Sequence, residues 1–252
     1  MKEGILGYDV DTLSVSKCVD HIVHEMASGK RRQWLACLNA HSFVVSTKDN
    51  EFASALKDAD LLIPDGVGIV LASKILGGDI RQRVTGPEVF SSLLQRLDAS
   101  QHTRVFFMGS TRATLDRIEA RIHRDYPNLE VVGTYSPPFR AVYSADETDE
   151  MITAINAADP DVLLVGLTAP KQEKWIFENK ARLNVEFIGA AGAMFDYFAG
   201  TIKTPSPIWV KLGLQSVHRL AQDPLRLWRR TFVSAPVFVL HVMRARLAAV
   251  RR

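Results

Sequence analysis

Cysteine is scarce in this sequence: Cys18 and Cys37 stand alone in 252 residues, with no CxxC spacing. This excludes a disulfide scaffold and a cysteine-built zinc site, and it suits a reducing cytoplasm. Met1 to Ser14 carry Lys2, Glu3, Asp9 and Asp11 with no apolar run of signal-peptide length, so no export signal is expected. Near the other end, the apolar stretch 232–240 is interrupted by Ser234 and Pro236 and followed by His241. It falls short of the ~20 residues that span a bilayer, so it is expected to lie on a membrane rather than cross it. A GxGxxG at the first strand-helix turn is missing, as is an acidic residue placed for a ribose, which counts against a nucleotide-dependent dehydrogenase. Internal repeats and low-complexity segments are also absent.

What is present is a hydrophobic content of 47%, enough for one sizeable α/β core plus an appendage. The net charge of +3 is unevenly spread. Residues 1–201 hold 21 basic against 27 acidic side chains, a balance of −6, whereas residues 202–252 hold 10 against 1, a balance of +9. A basic tail on an acidic body points to an anionic partner, with lipid, diphosphate and nucleic acid all admissible. In the tail the arginines alternate with apolar runs instead of with stacking aromatics along a groove, which disfavours a non-catalytic nucleic-acid-binding protein.

Short apolar runs at 34–38, 61–63, 104–108, 129–132, 162–165 and 185–188 read as strands. Amphipathic stretches at 15–27, 51–56, 67–76, 88–97, 111–126, 147–157 and 171–179 read as helices between them. Alternation of this kind specifies an α/β fold, a Rossmann-like, mainly parallel sheet with helices on both faces, whose ligands bind at the carboxyl ends of the strands.

Several polar groups follow directly on those strands. Pro64-Asp65-Gly66-Val67-Gly68 closes one strand and opens a helix near Val67, so Asp65 is either a general base or an ordinary helix cap. Asn39-Ala40-His41 projects onto the same edge; His41 can be a structural histidine and Asn39 a turn residue. In Arg83-Val84-Thr85-Gly86-Pro87-Glu88, Thr85 or Gly86 can cap a helix that Pro87 starts, and the Arg83 guanidinium can hold a diphosphate. Gly109-Ser110 and Lys171-Gln172 sit at two further strand-to-helix turns suited to phosphate or nucleoside. Three Asp-x-Asp spacings occur, at Asp9/Asp11, Asp58/Asp60 and Asp159/Asp161. The later two precede apolar strands and so belong at the opposite edge, while the first lies in an N-terminal segment without a buried strand before it; none reads as a metal site.

Four ordered segments then carry a specific resemblance: 59–68, Arg83 to Pro87, Pro170-Lys171-Gln172-Glu173-Lys174-Trp175, and 192–200 from Gly192 through Asp196 to Gly200. They resemble successive motifs of the WecG/TagA/CpsF glycosyltransferases, and 213–230 resembles that family's arginine-bearing C-terminal appendage. The likeness covers about Asn39 to Arg230. It implies a catalytic domain at 1–201 and a helical, membrane-associating appendage at 202–252. The implied activity is an inverting transfer of N-acetylmannosamine, its uronic acid or a hexose from a UDP-sugar to an undecaprenyl-diphosphate-linked glycan in cell-surface polysaccharide biosynthesis. No cofactor and no metal are implied. The implied location is the inner face of the cytoplasmic membrane, on an anionic surface, with monomer and homo-oligomer both open.

Carried over residue by residue, the resemblance makes Asp65 the general base, with Arg83 serving the diphosphate or acceptor side. Asn39 and Gln172 would line the sugar pocket, Asp196 would face the nucleoside, and Thr85, Gly86, Gly109, Ser110 and Lys171 complete the expected donor site. Arg219, Arg226, Arg229 and Arg230 would close over the diphosphate or meet the membrane. From about Pro207 onward a membrane-seated lid is expected, with Trp209, Trp228 and Phe238 at the lipid interface and Arg244, Arg246, Arg251 and Arg252 adding charge. Departures from the family pattern are Cys37 where threonine is common, Lys203-Thr204-Pro205-Ser206-Pro207 for an arginine-alanine-proline run, and Gln215-Ser216 for glutamate-tryptophan.

Overall fold

A computed structural model of the chain describes residues 1–100, 102–192, 194–202, 228 and 230–250; the side chains of Arg230, Thr231 and Val250 are not among the described parts. The chain opens with a hairpin of β1 (Lys2–Ile5) and β2 (Tyr8–Asp11) and continues with α1 (Val15–Ala27). Then follow β3 (Gln33–Leu38), α2 (Ala40–Ser46), α3 (Asn50–Asp58), β4 (Leu61–Pro64), α4 (Val67–Leu76), α5 (Gly86–Asp98), β5 (Thr103–Gly109) and α6 (Arg112–Asp125). The second half runs β6 (Leu129–Tyr135), α7 (Ala145–Ala158), β7 (Val162–Gly166), α8 (Lys171–Asn179), β8 (Phe187–Ala190) and α9 (Met194–Phe198). A π-helical turn at Arg230–Ser234 leads into α10 (Ala235–Val250).

Strands β3 to β8 form one parallel sheet in the order β4-β3-β8-β7-β5-β6. Alternate residues of each strand enter different cores. Leu38, Leu62, Met108, Val165 and Ile188 pack on one face with α2, α3, α7, α8 and α10, while Leu35, Ile63, Phe107, Leu164 and Phe187 pack on the other with α1, α5, α6 and α9. Burial on both faces is why the strands read as unbroken apolar runs instead of alternating ones. The architecture is the Rossmann-like α/β fold that the alternation specified.

Two expectations from the sequence are corrected. The N-terminal segment is a hairpin, closed by Leu6 and Gly7 at φ 49° and 87°; both left-handed positions are what a two-residue hairpin turn demands. Asp11 is buried there and accepts a hydrogen bond from Leu62 N at 2.8 Å, tying the hairpin to β4. The other acidic pairs serve the amino edge of the sheet: Asp60 accepts from Trp34 N at 3.0 Å and Asp161 from Arg104 N at 2.7 Å.

The second correction concerns the C-terminal helix. Ser234 and Pro236 do not interrupt it. Proline fits its first turn, where the missing N–H would be unpaired anyway, and the helix runs on past His241 to Val250. Among the described residues it is the one helix long and apolar enough to cross a membrane, over Phe232–Ala249. One stripe of it is nevertheless docked on the domain. Phe238 and Val242 are buried, and Phe238 meets Phe43 edge-on at 5.4 Å. His41 Nδ1 is 2.8 Å from the buried Ser234 hydroxyl. Phe238 is therefore a core residue and not the interfacial anchor expected of it; Trp228 is exposed. Trp209, Arg251 and Arg252 lie outside the described residues.

Candidate active site

The order of the strands turns back at β3 and β8, and in an open α/β sheet the crevice beyond the carboxyl ends at such a point takes the ligand. Leu38 of β3 is level with Pro64 of β4, so the residues that follow, Asn39 and Asp65, emerge side by side. Asp65 N donates to Leu38 O at 2.8 Å, which locks that register. Asn39 caps α2: its Oδ1 accepts from His41 N and Ser42 N at 3.0 and 2.9 Å, and the Ser42 hydroxyl accepts from Asn39 N at 2.7 Å. With the amide oxygen committed to the helix, Nδ2 is turned toward Asp65 and lies 3.5 Å from its Oδ2.

Asp65 does not cap α4. That place belongs to Gly66, at φ 101° and with no side-chain cap. Glycine is needed there because only it adopts this backbone without strain, and the Asp65 carboxylate stands one residue before the cap, at the carboxyl end of β4.

The start of α5 closes the same side. Thr85 is its N-cap in a reciprocal box with Glu88, whose carboxylate accepts from both Thr85 N and the Thr85 hydroxyl at 3.1 and 2.7 Å. Arg83 pairs with Glu88 at 3.7 Å and is largely buried. Gly86 presses on β3: a Cβ there would lie 3.4 Å from Cys37 Sγ and 3.3 Å from Met194 Sδ. Burial first, then the Asp65 and Glu173 carboxylates, push the Cys37 thiol well above its ordinary range. Cys37 is thus a neutral thiol beside two carboxyl groups.

Across the crevice, α8 starts after β7 and brings in Gln172 and Glu173, both buried. Gln172 Nε2 donates to Glu173 Oε1 at 2.9 Å, while Gln172 Oε1 and Glu173 Oε2 have no partner among the described residues. Gly192, after β8, is at φ 47°, and a Cβ on it would be 3.4 Å from the Gln172 amide. Desolvation lifts the Glu173 carboxyl from 4.5 to about 7, opposed first by the Gln172 hydrogen bond. A buried carboxyl with a pKa raised to about 7, in the first turn of a helix, is the kind of group that active sites accumulate.

Glu173 was not singled out from the sequence, although a signal existed: it precedes Ile176 by three residues, on the apolar side of α8.

The remaining expected donor residues are more scattered. Gly109 and Ser110 sit at the end of β5 with φ 124° and 54°, and Ser110 N donates to Gly166 O at 3.1 Å, so this turn is spent on joining β5 to β7. Lys171 turns away from Gln172: its ammonium donates to Arg140 O at 2.7 Å and lies 4.8 Å from the Tyr143 ring centre. Asp196, on α9, accepts from the Thr201 hydroxyl through its backbone carbonyl at 2.9 Å. Of Arg230 only the backbone is described, and Arg219, Arg226 and Arg229 lie outside the described residues. Asn39, Asp65, Arg83, Gly86, Gln172 and, newly, Glu173 are therefore the groups that the carboxyl edge places around β3, β4, β7 and the α5 start.

The family model described as "Glycosyl transferase WecG/TagA/CpsF family" matches residues 4–252. Three similar proteins each bear the name N-acetylglucosaminyldiphosphoundecaprenol N-acetyl-beta-D-mannosaminyltransferase. That of Bacillus spizizenii W23 is 28% identical over 92% of this chain and 87% of its own length. That of Bacillus subtilis strain 168 is 27% identical over 92% and 87%. The Staphylococcus aureus MW2 protein is 24% identical over 97% of this chain and 93% of its own. With a model match that spans nearly its whole length, and a parallel α/β sheet, the chain belongs to the glycosyl transferase WecG/TagA/CpsF family.

Proposed function

We propose that this glycosyltransferase moves a sugar, N-acetylmannosamine, its uronic acid or a hexose, from a UDP-sugar to an undecaprenyl-diphosphate-linked acceptor, with inversion. The observation that carries the reading is Asp65: a carboxylate at the carboxyl end of β4, just before the Gly66 cap of α4 and addressed by the Asn39 amide at 3.5 Å. The names of the three relatives support a lipid-linked acceptor. In this reading Asp65 takes the proton of the acceptor hydroxyl as its oxygen attacks the anomeric carbon. The bond from that carbon to the UDP oxygen breaks, and UDP leaves with the electron pair. Arg83, together with Arg219, Arg226, Arg229 and Arg230 of the appendage, stabilises the diphosphate charge as it grows.

Asn39, Gln172 and Gly86 line the sugar side; Thr85, Gly109, Ser110, Lys171 and Asp196 form the wider nucleotide region. Residues 1–201 act as the catalytic domain and 202–252 as the appendage that meets an anionic membrane on the cytoplasmic side. Docking of Phe238 and Val242 on the domain, with Arg244 and Arg246 in the same helix, favours a peripheral seat over a crossing. Charge stabilisation by arginine makes a divalent ion unnecessary.

The test is UDP release with a panel of UDP-sugars and synthetic lipid-diphosphate acceptors, with Asp65→Asn as control. Turnover should fall about a hundredfold or more while melting is unchanged, the scale set by loss of a general base. Wild-type turnover in Asp65→Asn would refute the assignment.

A further inference from the structure

Helix α4 begins two residues after Asp65, and its sequence VGIVLASKIL is apolar nearly throughout. A helix apolar on every side belongs in a core or a membrane. Here only one side is in the core, where Ile69 and Ala72 are buried. Val67, Leu71 and Ile75, spaced four residues apart and so on one stripe, are 49%, 52% and 38% exposed. Helix α10 packs along α4 and repeats the arrangement. Beside its buried Phe238 and Val242, Val239, Leu240 and Met243 are 54%, 48% and 45% exposed. A Cβ on Gly68 would lie 3.8 Å from Phe238 Cε1, so the two helices touch at the end of α4 nearest Asp65.

We infer that the exposed sides of α4 and α10 form one lipid-docking face that seats the mouth of the crevice on an anionic bilayer. The inference rests on the membrane reading above and extends it from the appendage to a helix of the catalytic domain. Charge selects this occupant. Lys74 of α4 and Arg244 and Arg246 of α10 are the charged residues of the two helices, and neither helix contains an acidic side chain. Cations bordering an apolar stripe match anionic headgroups above acyl chains. A second copy of the same face would bring cation against cation with no carboxylate to answer it. The seat also gives α4 a mechanistic part, because a diphosphate sugar on a membrane-bound polyprenyl chain reaches Asp65 only if the crevice opens at the headgroup level.

The test uses the full-length protein and vesicles of phosphatidylcholine with or without phosphatidylglycerol, read by co-sedimentation. Leu71→Glu/Ile75→Glu alters two exposed positions that line neither the crevice nor the core, and its melting checks the fold. The wild type should bind the phosphatidylglycerol vesicles, and the double variant at least about tenfold more weakly, since it loses apolar insertion and gains like-charge repulsion. Leu71→Ala/Ile75→Ala should fall between them. Wild-type binding by a folded glutamate variant would overturn the role of α4 while leaving the appendage reading intact. No binding by the wild type would overturn both. A wild-type dimer that the glutamate variant dissociates, with vesicle binding unaffected, would assign the face to a second copy and overturn the inference.

Discussion

Replacing Glu173 by glutamine should change how stability depends on pH. The carboxyl is buried, with hydrogen bonds from the Gln172 amide and its own backbone N–H and no cation among the described residues beside it, so ionising it is costly. Its pKa in the fold is about 7, against 4.5 for an ordinary glutamate. Between those two values the native state holds a proton that the unfolded chain has already released. Stability is therefore fully present below about pH 4.5, declines as pH rises, and levels off above about pH 7. A gap of this size, at about 1.4 kcal/mol per unit, is worth about 3 kcal/mol. For a chain of this length that corresponds to roughly 6–12 °C in Tm. Urea unfolding at about pH 5 and about pH 8, for the wild type and Glu173→Gln, measures it directly. Glutamine keeps the shape and an oxygen for Gln172 without ever becoming charged, so the variant should lose about 3 kcal/mol less than the wild type across that interval. Other raised carboxyls, Asp11, Glu178 and Glu186, titrate in both proteins and cancel in the difference. Parallel curves for the two proteins would refute the reasoning and mean that water or a cation reaches Glu173.

Gln172→Ala should lower kcat/KM for the donor by about tenfold or more with little loss of Tm, and EDTA should leave wild-type turnover unchanged; activity lost to EDTA and restored by magnesium or manganese would overturn the metal-free reading. Asp65→Asn should keep the wild-type Tm, because α4 is capped by Gly66 and not by the aspartate; a marked drop in Tm would restore the capping role. Gly109→Ala should destabilise by roughly 2–4 kcal/mol in urea unfolding, since its Cβ would lie 2.4 Å from Gly166 O at φ 124°. An unchanged unfolding midpoint would show that β5 and β7 can part.

Much of the fold was determined by the sequence alone. Each of the six apolar runs is a strand of the parallel sheet, because residues buried on both faces leave a continuous hydrophobic signal. Helices Val15–Ala27, Val67–Leu76 and Lys171–Asn179 start and stop where their periodicity does. Asp65 and Asn39 were legible for the same local reason: each directly follows a strand, and a parallel sheet sends every such residue to one edge, while Gln172 stands at the start of the helix that the loop after β7 leads into. The tertiary structure alone decided what depends on partners distant in sequence. The hairpin at Lys2–Asp11 is held by Asp11 reaching Leu62, and Phe238 is buried by Phe43. The Asn39 amide finds Asp65 across 26 positions because β3 and β4 are in register. Glu173 shows the limit most clearly. A glutamate in the first turn of a helix reads as an ordinary exposed charge favoured by the dipole, its spacing to Ile176 being a weak hint to the contrary, and only its burial in the folded chain removes its water and lifts its pKa to about 7.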